Sequence, residues 1–451
     1  MNSHSDAAQD STPMFNDGDI RRSEAVPVAQ GRSAGLILSI LVTAYVLAFV
    51  DRQILSLFVQ PIKRDLALSD IEVSLLQGLS FALFMCLAGI PVGRLVDTWR
   101  RTTMLAIGVF LWSLATAACG FAGSFLVLLV CRVCVGVGEA VMTPAAYSLI
   151  GDSFGLQRQG IAMGIYNLGT YIGSGAAMVF GGTAIHMLPA QSSFWGGNFH
   201  GWQLVFLSLL VPGLLVATLL ACLPEPARSG GKGHEIAPTA RDALRWYRAR
   251  FVGLAGLIGM MSFTTMSMYA LLAWAPAFYQ RQFGLSITTV GHQLGLIILL
   301  SGSAGAIAGG VFGDLMIRHR AYGRLLVAIG GTLCGLPLLV GGLTAANPTA
   351  SLIMLAAGFF FLTIAVVSGP ALMQQVTPPR MRGLTTAGIA LITNILGLGL
   401  GPTVVAVVTE GILHNDSRVG TALALVIPVT LSLAACFAIL TVKNFRLFEA
   451  K

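Results

Sequence analysis

Residues 125–150 read FLVLLVCRVCVGVGEAVMTPAAYSLI. As a helix this stretch is about one bilayer thickness long and almost wholly apolar, yet Arg132 and Glu139 lie in its interior. A charge at the bilayer centre costs about 2.5–3.5 kcal/mol even on lenient insertion scales, so each of the two requires a partner and a purpose. Seven residues, two helical turns, separate them, which puts both on one face about 10 Å apart along the axis. Gly136 and Gly138 between them let a neighbouring backbone or a ligand approach closely. One other apolar stretch carries interior charge, Asp51-Arg52 in LILSILVTAYVLAFVDRQILSLFV, residues 36–59.

The rest of the chain has the composition of a lipid-embedded protein. Of its 451 residues 55% are hydrophobic and 10% charged, and the mean hydropathy is +0.80. Apolar runs near 20 residues recur, which in a bilayer means spanning helices. Hydropathy gives twelve spans, at 34–59, 72–93, 103–122, 125–150, 160–187, 202–223, 250–279, 286–313, 323–344, 349–374, 382–409 and 419–442. The fold class expected is an all-α membrane protein with two six-helix bundles, 34–223 and 250–442. A polar disordered tail (1–33), a linker (224–249) with an amphipathic helix at 238–249, and a short tail (443–451) complete the chain.

The net charge of +8 would suit nucleic acid, but its distribution argues against that partner. With the N-terminus inside, 21 of the 27 Lys and Arg fall on inside segments and four in outside loops, with Arg52 and Arg132 buried. That is the positive-inside bias, so both termini are expected in the cytoplasm of a bacterial inner membrane. No metal is expected: Cys131-x-x-Cys134 lies on a hydrophobic helix without a further Cys/His cluster, and packing is its simpler role. Nor does any nucleophile–base set appear at depth, so the chain reads as no enzyme.

Two sequence echoes relate the halves. Gly93-x3-Asp97-x3-Arg101 follows the second span, and Gly310-x3-Asp314-x3-Arg318 follows the eighth, 217 residues later. Arg158…Gly160…Gly164 has a looser counterpart in Arg382-Gly383…Gly388. Parallel six-span halves are the architecture of major facilitator transporters. The 93–101 loop resembles motif A of that superfamily, Arg132 with Gly136 resembles its fourth-helix motif, and GIYNLGTYIGSGAAMVFGG (164–182) resembles its fifth. Asp51-Arg52 with Arg132-Val-Cys-Val-Gly136-Val-Gly138-Glu139 is most similar to the spinster-type branch.

That resemblance implies alternating-access transport of an amphiphilic anionic lipid, a lysophospholipid or a sphingoid phosphate. Protons would be the coupling ion, with no other cofactor. Asp51, Arg52, Arg132 and Glu139 would carry proton coupling and head-group binding. Gly93, Asp97 and Arg101, with Gly310, Asp314 and Arg318 in the second half, would latch the halves on the cytoplasmic side. The charges alone serve a carrier of small organic acids, sugars or drugs equally well.

Spacing along the helices adds a geometric expectation. Asp51 and Arg132 lie at matching depth, which allows a cross-helix pair, with Glu139 deeper and adjacent to Arg132. Tyr45, Tyr166, Asn167, Tyr171 and Asn394 are candidate hydrogen-bonding groups of the cleft. Met260 and Phe263 are candidates to hold an acyl tail, because methionine adapts to varied apolar shapes. Glycines at 302–310 and 397–401, with Pro276, mark where helices can bend. The protein is expected to act as a monomer among membrane lipids.

Overall fold

The computed structural model describes residues 31–188, 191–194, 197–228, 240–378 and 381–449. Most of the expected N-terminal tail and the middle of the linker therefore lie outside the described residues. Among the described residues twelve helices are long and apolar enough to cross a membrane. The first half contains α1 (Ser33–Leu57), α2 (Asp70–Thr98), α3 (Arg101–Cys119), α4 (Phe125–Ser153), α5 (Gln157–Met187) and α6 (Gly201–Ala221). The second contains α7 (Phe251–Phe283), α8 (Ile287–Ile317), α9 (Gly323–Thr344), α10 (Pro348–Val376), α11 (Thr385–Ile412) and α12 (Asp416–Lys443). An even number of spans brings the start of α1 and the end of α12 to one side, here called the terminal end; the other is the distal end. The linker forms a helix over Ala240–Ala249, whose Tyr247 hydroxyl meets Thr385 Oγ1 at 2.8 Å.

Helix boundaries follow from local chemistry. Ser69 caps α2 in a reciprocal box with Glu72. Ser124 accepts from the Val127 N–H and starts α4, and Ser286 accepts from the Thr289 N–H and starts α8. Asn347 followed by Pro348 opens α10. Gly284, at φ 64°, ends α7 in the left-handed conformation that costs an L side chain strain. One element was not foreseen: a two-stranded antiparallel hairpin between α5 and α6, β1 (Gln191–Phe194) and β2 (Gly197–His200), with Gln191 opposite His200.

Several helices loosen in the middle. α2 contains a π turn at Leu75–Leu79, α8 one at Ile298–Gly302, and α11 two, at Asn394–Gly399 and Val407–Ile412. α4 breaks at Ala140–Val141, between segments Phe125–Glu139 and Met142–Ser153. Such turns release main-chain carbonyls from the helical ladder, which matters for the site.

The halves meet closely along two seams. Along α2–α11, a Cβ on Gly78 would lie 2.6 Å from the Leu398 carbonyl oxygen, so only glycine fits. Along α5–α8, Gly291 packs at similar range against the Met178 carbonyl. Polar links between the halves gather towards the distal end. Asp70, fully buried, receives Lys63 at 2.9 Å and both Arg281 Nη atoms at 2.7 Å. Lys63 also pairs with Asp416, and the Ile71 N–H donates to Glu410 at 3.1 Å. Towards the terminal end the described residues show only the Cys86 thiol against the Leu391 carbonyl, at 4.0 Å. The molecule is shut distally.

Candidate functional site

Four charges from α1 and α4, three of them buried and Arg52 half-buried, converge in the first half. Asp51 is 1% exposed, Arg132 0% and Glu139 3%. Their pairing differs from the sequence expectation. Arg52 Nη2 donates to Glu139 Oε2 at 2.5 Å, so the cross-helix ion pair is Arg52–Glu139. The expected Asp51–Arg132 side-chain pair is not formed. Arg132 instead donates from Nη1 to the Asp51 main-chain carbonyl and from Nε to the Leu76 carbonyl, each at 3.2 Å. Leu76 lies in the π turn of α2, which loosens its carbonyl from the regular helical pairing. Arg132 is thereby a clamp tying α4 to α1 and α2, and Glu139 is adjacent to Arg52 rather than dependent on Arg132.

Aromatic rings hold these cations. The Arg52 guanidinium lies 4.6 Å from the ring centroids of both Phe49 and Phe81, and Arg132 lies 5.5 Å from Phe81. Contacts of this kind retain a cation away from water. The Asp51 carboxylate faces Trp112 and Thr116 of α3, yet neither oxygen reaches hydrogen-bond geometry with them. Glu139 Oε1 is also without a partner. The cluster holds two carboxylates with spare acceptors and one arginine, Arg52, that borders a cavity between the halves.

That cavity is walled by Arg52, Gln53 and Ser56 of α1, Gln77 of α2, Tyr269 and Ala273 of α7, and Leu398 and Pro402 of α11. Gln53 Nε2 donates to the Leu272 carbonyl at 2.7 Å, across the halves. The carbonyl is available because its helical donor would be residue 276, and Pro276 has no N–H. Gln77 Nε2 donates to the next carbonyl, Ala273, at 3.3 Å. The sequence reading did not single out Gln53, Gln77, Phe49 or Phe81. Their signals were present: Gln53 adjoins Arg52, and Gln77 and Phe81 share a face four residues apart.

The remaining candidates fall in several places. Tyr45 stacks on Tyr166 at 4.2 Å inside the first half, and Tyr147 donates to Asn167 at 3.1 Å. Tyr171 crosses to the second half, edge-on to Phe359 and against Gly302. Asn394 is half-buried in a π turn of α11. Met260 and Phe263 are not cavity residues. Met260 packs with Leu257, Leu372 and Met373 in the core of the second half, and Phe263, half-buried, stacks on Phe437 of the same half at 5.7 Å.

At the terminal end Arg101 is 1% exposed and inside the first half, bound to Asp152, to Glu225 at 2.7 Å, to Ser148 at 2.9 Å and to the Pro226 carbonyl at 3.0 Å. It does not tie the halves together, since its acceptors belong to its own half and to the start of the linker. Partial burial raises the Glu225 carboxyl, but the Thr102 backbone N–H, Arg101 and the Thr102 hydroxyl outweigh it and hold it below the usual range. Gly93 has open space around it and Asp97 is exposed. Gly310 is likewise open, Asp314 pairs with Arg324 at 2.8 Å and Arg318 is exposed. The expected latch contacts are apart in this conformation.

Two bundles of six helices, closed at one end around a buried charge cluster, limit what the chain can be, and comparison with known proteins decides it. Residues 41–402 match the Major Facilitator Superfamily. The chain belongs to that superfamily. It is a transporter rather than an enzyme, and within the superfamily it is spinster-like. It is similar to an MFS-type efflux pump of Mycolicibacterium smegmatis (26% identity, covering 84% of this chain and 86% of that one). It is also similar to a probable L-galactonate transporter of Escherichia coli (25%, 85% and 83%) and to human protein spinster homolog 1 (27%, 86% and 75%). Its fold matches the crystal structure of a bacterial homolog of the human lysosomal transporter spinster, inward-facing and unoccupied (TM-score 0.75, 24% identity, 93% and 97% covered).

Proposed function

We propose that this superfamily member moves an amphiphilic anion, a lysophospholipid or sphingoid phosphate, by alternating access coupled to protons. It works as a monomer in a bacterial inner membrane with both termini cytoplasmic and needs no other cofactor. The observation that carries the reading is the Arg52–Glu139 pair beside a cavity between the halves. An anionic head group entering from the terminal end takes Arg52. Glu139 is then an unpaired charge in a low-dielectric interior, and binding a proton relieves it. Substrate and proton thus enter together, and rocking of the halves exposes both to the far side. The lipid assignment draws on the similarity to spinster proteins.

A second reading, a hydroxylated organic acid, has its own support. Gln53, Ser56 and Gln77 give the cavity a polar wall, and one relative is a probable L-galactonate transporter. Uptake of labelled lysophospholipid and of labelled gluconate into proteoliposomes, with and without a pH gradient, separates the two. Gradient-driven lysophospholipid uptake that Glu139→Gln abolishes supports the leading reading. Gluconate uptake alone selects the second. Lipid uptake indifferent to both the gradient and Glu139 makes the charge cluster structural and refutes coupling.

A further inference from the structure

The linker helix Ala240–Ala249 carries a pattern that the transport reading leaves unused. Residues 240–250 hold four arginines and one acid, Asp242. At about 100° per residue, Arg241, Arg245 and Arg248 fall within one arc of about 60°. All three are exposed, as is Leu244 beside them. Tyr247 lies about 100° or more from each arginine, and its hydroxyl meets Thr385 Oγ1, a buried group of α11, at 2.8 Å. The helix is thus docked by one edge and turns its arginine face away from that contact. The chain leaves the helical conformation at Arg250 and enters α7 at Phe251. The Arg250 guanidinium lies over the Trp246 ring at 5.1 Å, and Phe251 and Val252, the first apolar residues of the span, are exposed. The arginine face therefore begins three residues from a membrane-spanning helix.

We propose that this face is a docking surface for the anionic phospholipid head groups of the leaflet at the terminal end. Charge complementarity and position argue for that occupant together. A segment tethered at the start of a span always meets the head-group layer, whereas a soluble partner would have to displace it. Guanidinium groups fork onto phosphate oxygens, and each basic side chain near an anionic surface multiplies its occupancy about fivefold. Leu244, exposed next to the arginines, and Trp246, half-buried, supply the apolar contact by which such a helix settles into the interface. Tyr247 ties the same helix to the start of α11, which forms the α2–α11 seam. Lipid charge in this leaflet thereby acts on a helix that joins the halves. The proposal does not depend on which substrate is carried.

The test places a spin label at Leu244→Cys in full-length protein whose exposed Cys134, Cys222, Cys334 and Cys436 are replaced. Its collision rate with a neutral, water-soluble nickel chelate is measured in nanodiscs of phosphatidylcholine alone and of equal parts phosphatidylcholine and phosphatidylglycerol. At low salt the rate should be about threefold lower in the anionic bilayer, and high salt should close the gap. Replacing Arg241, Arg245 and Arg248 together by glutamine should abolish the lipid dependence, and replacing them by lysine should keep most of it. These residues are exposed, so neither variant threatens the fold. Equal rates in the two bilayers would overturn the proposal, as would a lipid dependence that survives the glutamine variant. Shielding by an added RNA oligonucleotide in the neutral bilayer, with none from phosphatidylglycerol, would also overturn it by assigning the face to a soluble polyanion.

Discussion

Replacing Gln53 by leucine should loosen the distal closure, and the size of the effect follows from one hydrogen bond. The Gln53 amide donates at 2.7 Å to the Leu272 carbonyl, which Pro276 deprives of its helical donor. A hydrogen bond of this type is worth about 1 kcal/mol net, and leaving a buried acceptor unpaired costs about 1–3 kcal/mol. Measured interhelical values in membranes sit at the lower end, about 0.6–1.7 kcal/mol. The variant should therefore shift the closed-to-open ratio by about 1–2 kcal/mol, roughly 5- to 30-fold. Spin labels at Arg64→Cys and Arg418→Cys, exposed distal residues of opposite halves, report it as a distance distribution once exposed Cys134, Cys222, Cys334 and Cys436 are replaced. Pro276→Ala supplies the missing N–H, so Gln53→Leu should matter less in that background. Equal effects with and without proline, or none at all, would refute the reasoning.

Further outcomes follow from the same packing. Gly78→Ala places a methyl 2.6 Å from the Leu398 carbonyl oxygen and 2.7 Å from that of Gly399, so it should widen the same label distance and slow uptake severalfold; an unchanged distribution contradicts the α2–α11 seam. Arg101→Ala removes the buried guanidinium that joins Asp152 to Glu225 and should destabilise the first half by about 3–5 kcal/mol, seen as a lower unfolding temperature in detergent. Arg101→Lys, unable to fork between its acceptors, should recover only part of that loss. Glu225 is held below its ordinary range, so its contribution to stability is present above its unfolded value and lost as pH falls through the folded one. Glu225→Gln should thus lower the unfolding temperature at pH 7, with the difference from wild type closing below about pH 4.3. A constant difference across pH would assign the effect to packing.

The sequence carried the architecture because bilayer thickness imposes a length on every span and the Gly-x3-Asp-x3-Arg echo exposed the two halves. It also placed charge on the right two helices, because Asp51, Arg52, Arg132 and Glu139 interrupt runs that are otherwise apolar. It could not pair them. Matching depth suggested Asp51 with Arg132, but side-chain direction and the carbonyl loosened by the π turn at Leu75–Leu79 give Arg132 to backbone and Arg52 to Glu139. Neither a π turn nor the azimuth of one helix against another can be read from hydropathy. For the same reason Met260 and Phe263, apolar on a helix that borders the cleft, were assigned to it, although their faces turn into the second half. The Gln53–Leu272 link was half legible, since Pro276 announces a free carbonyl four residues earlier without saying which residue takes it.

The central claim, that an anion at Arg52 and a proton at Glu139 are taken together, is tested most directly by proton uptake on binding. Lysophospholipid is added to purified protein in weakly buffered solution with a pH-sensitive dye. The account predicts that wild type removes about one proton per bound anion, and that Glu139→Gln binds without removing any. Saturable binding to wild type with no change in solution pH would contradict it.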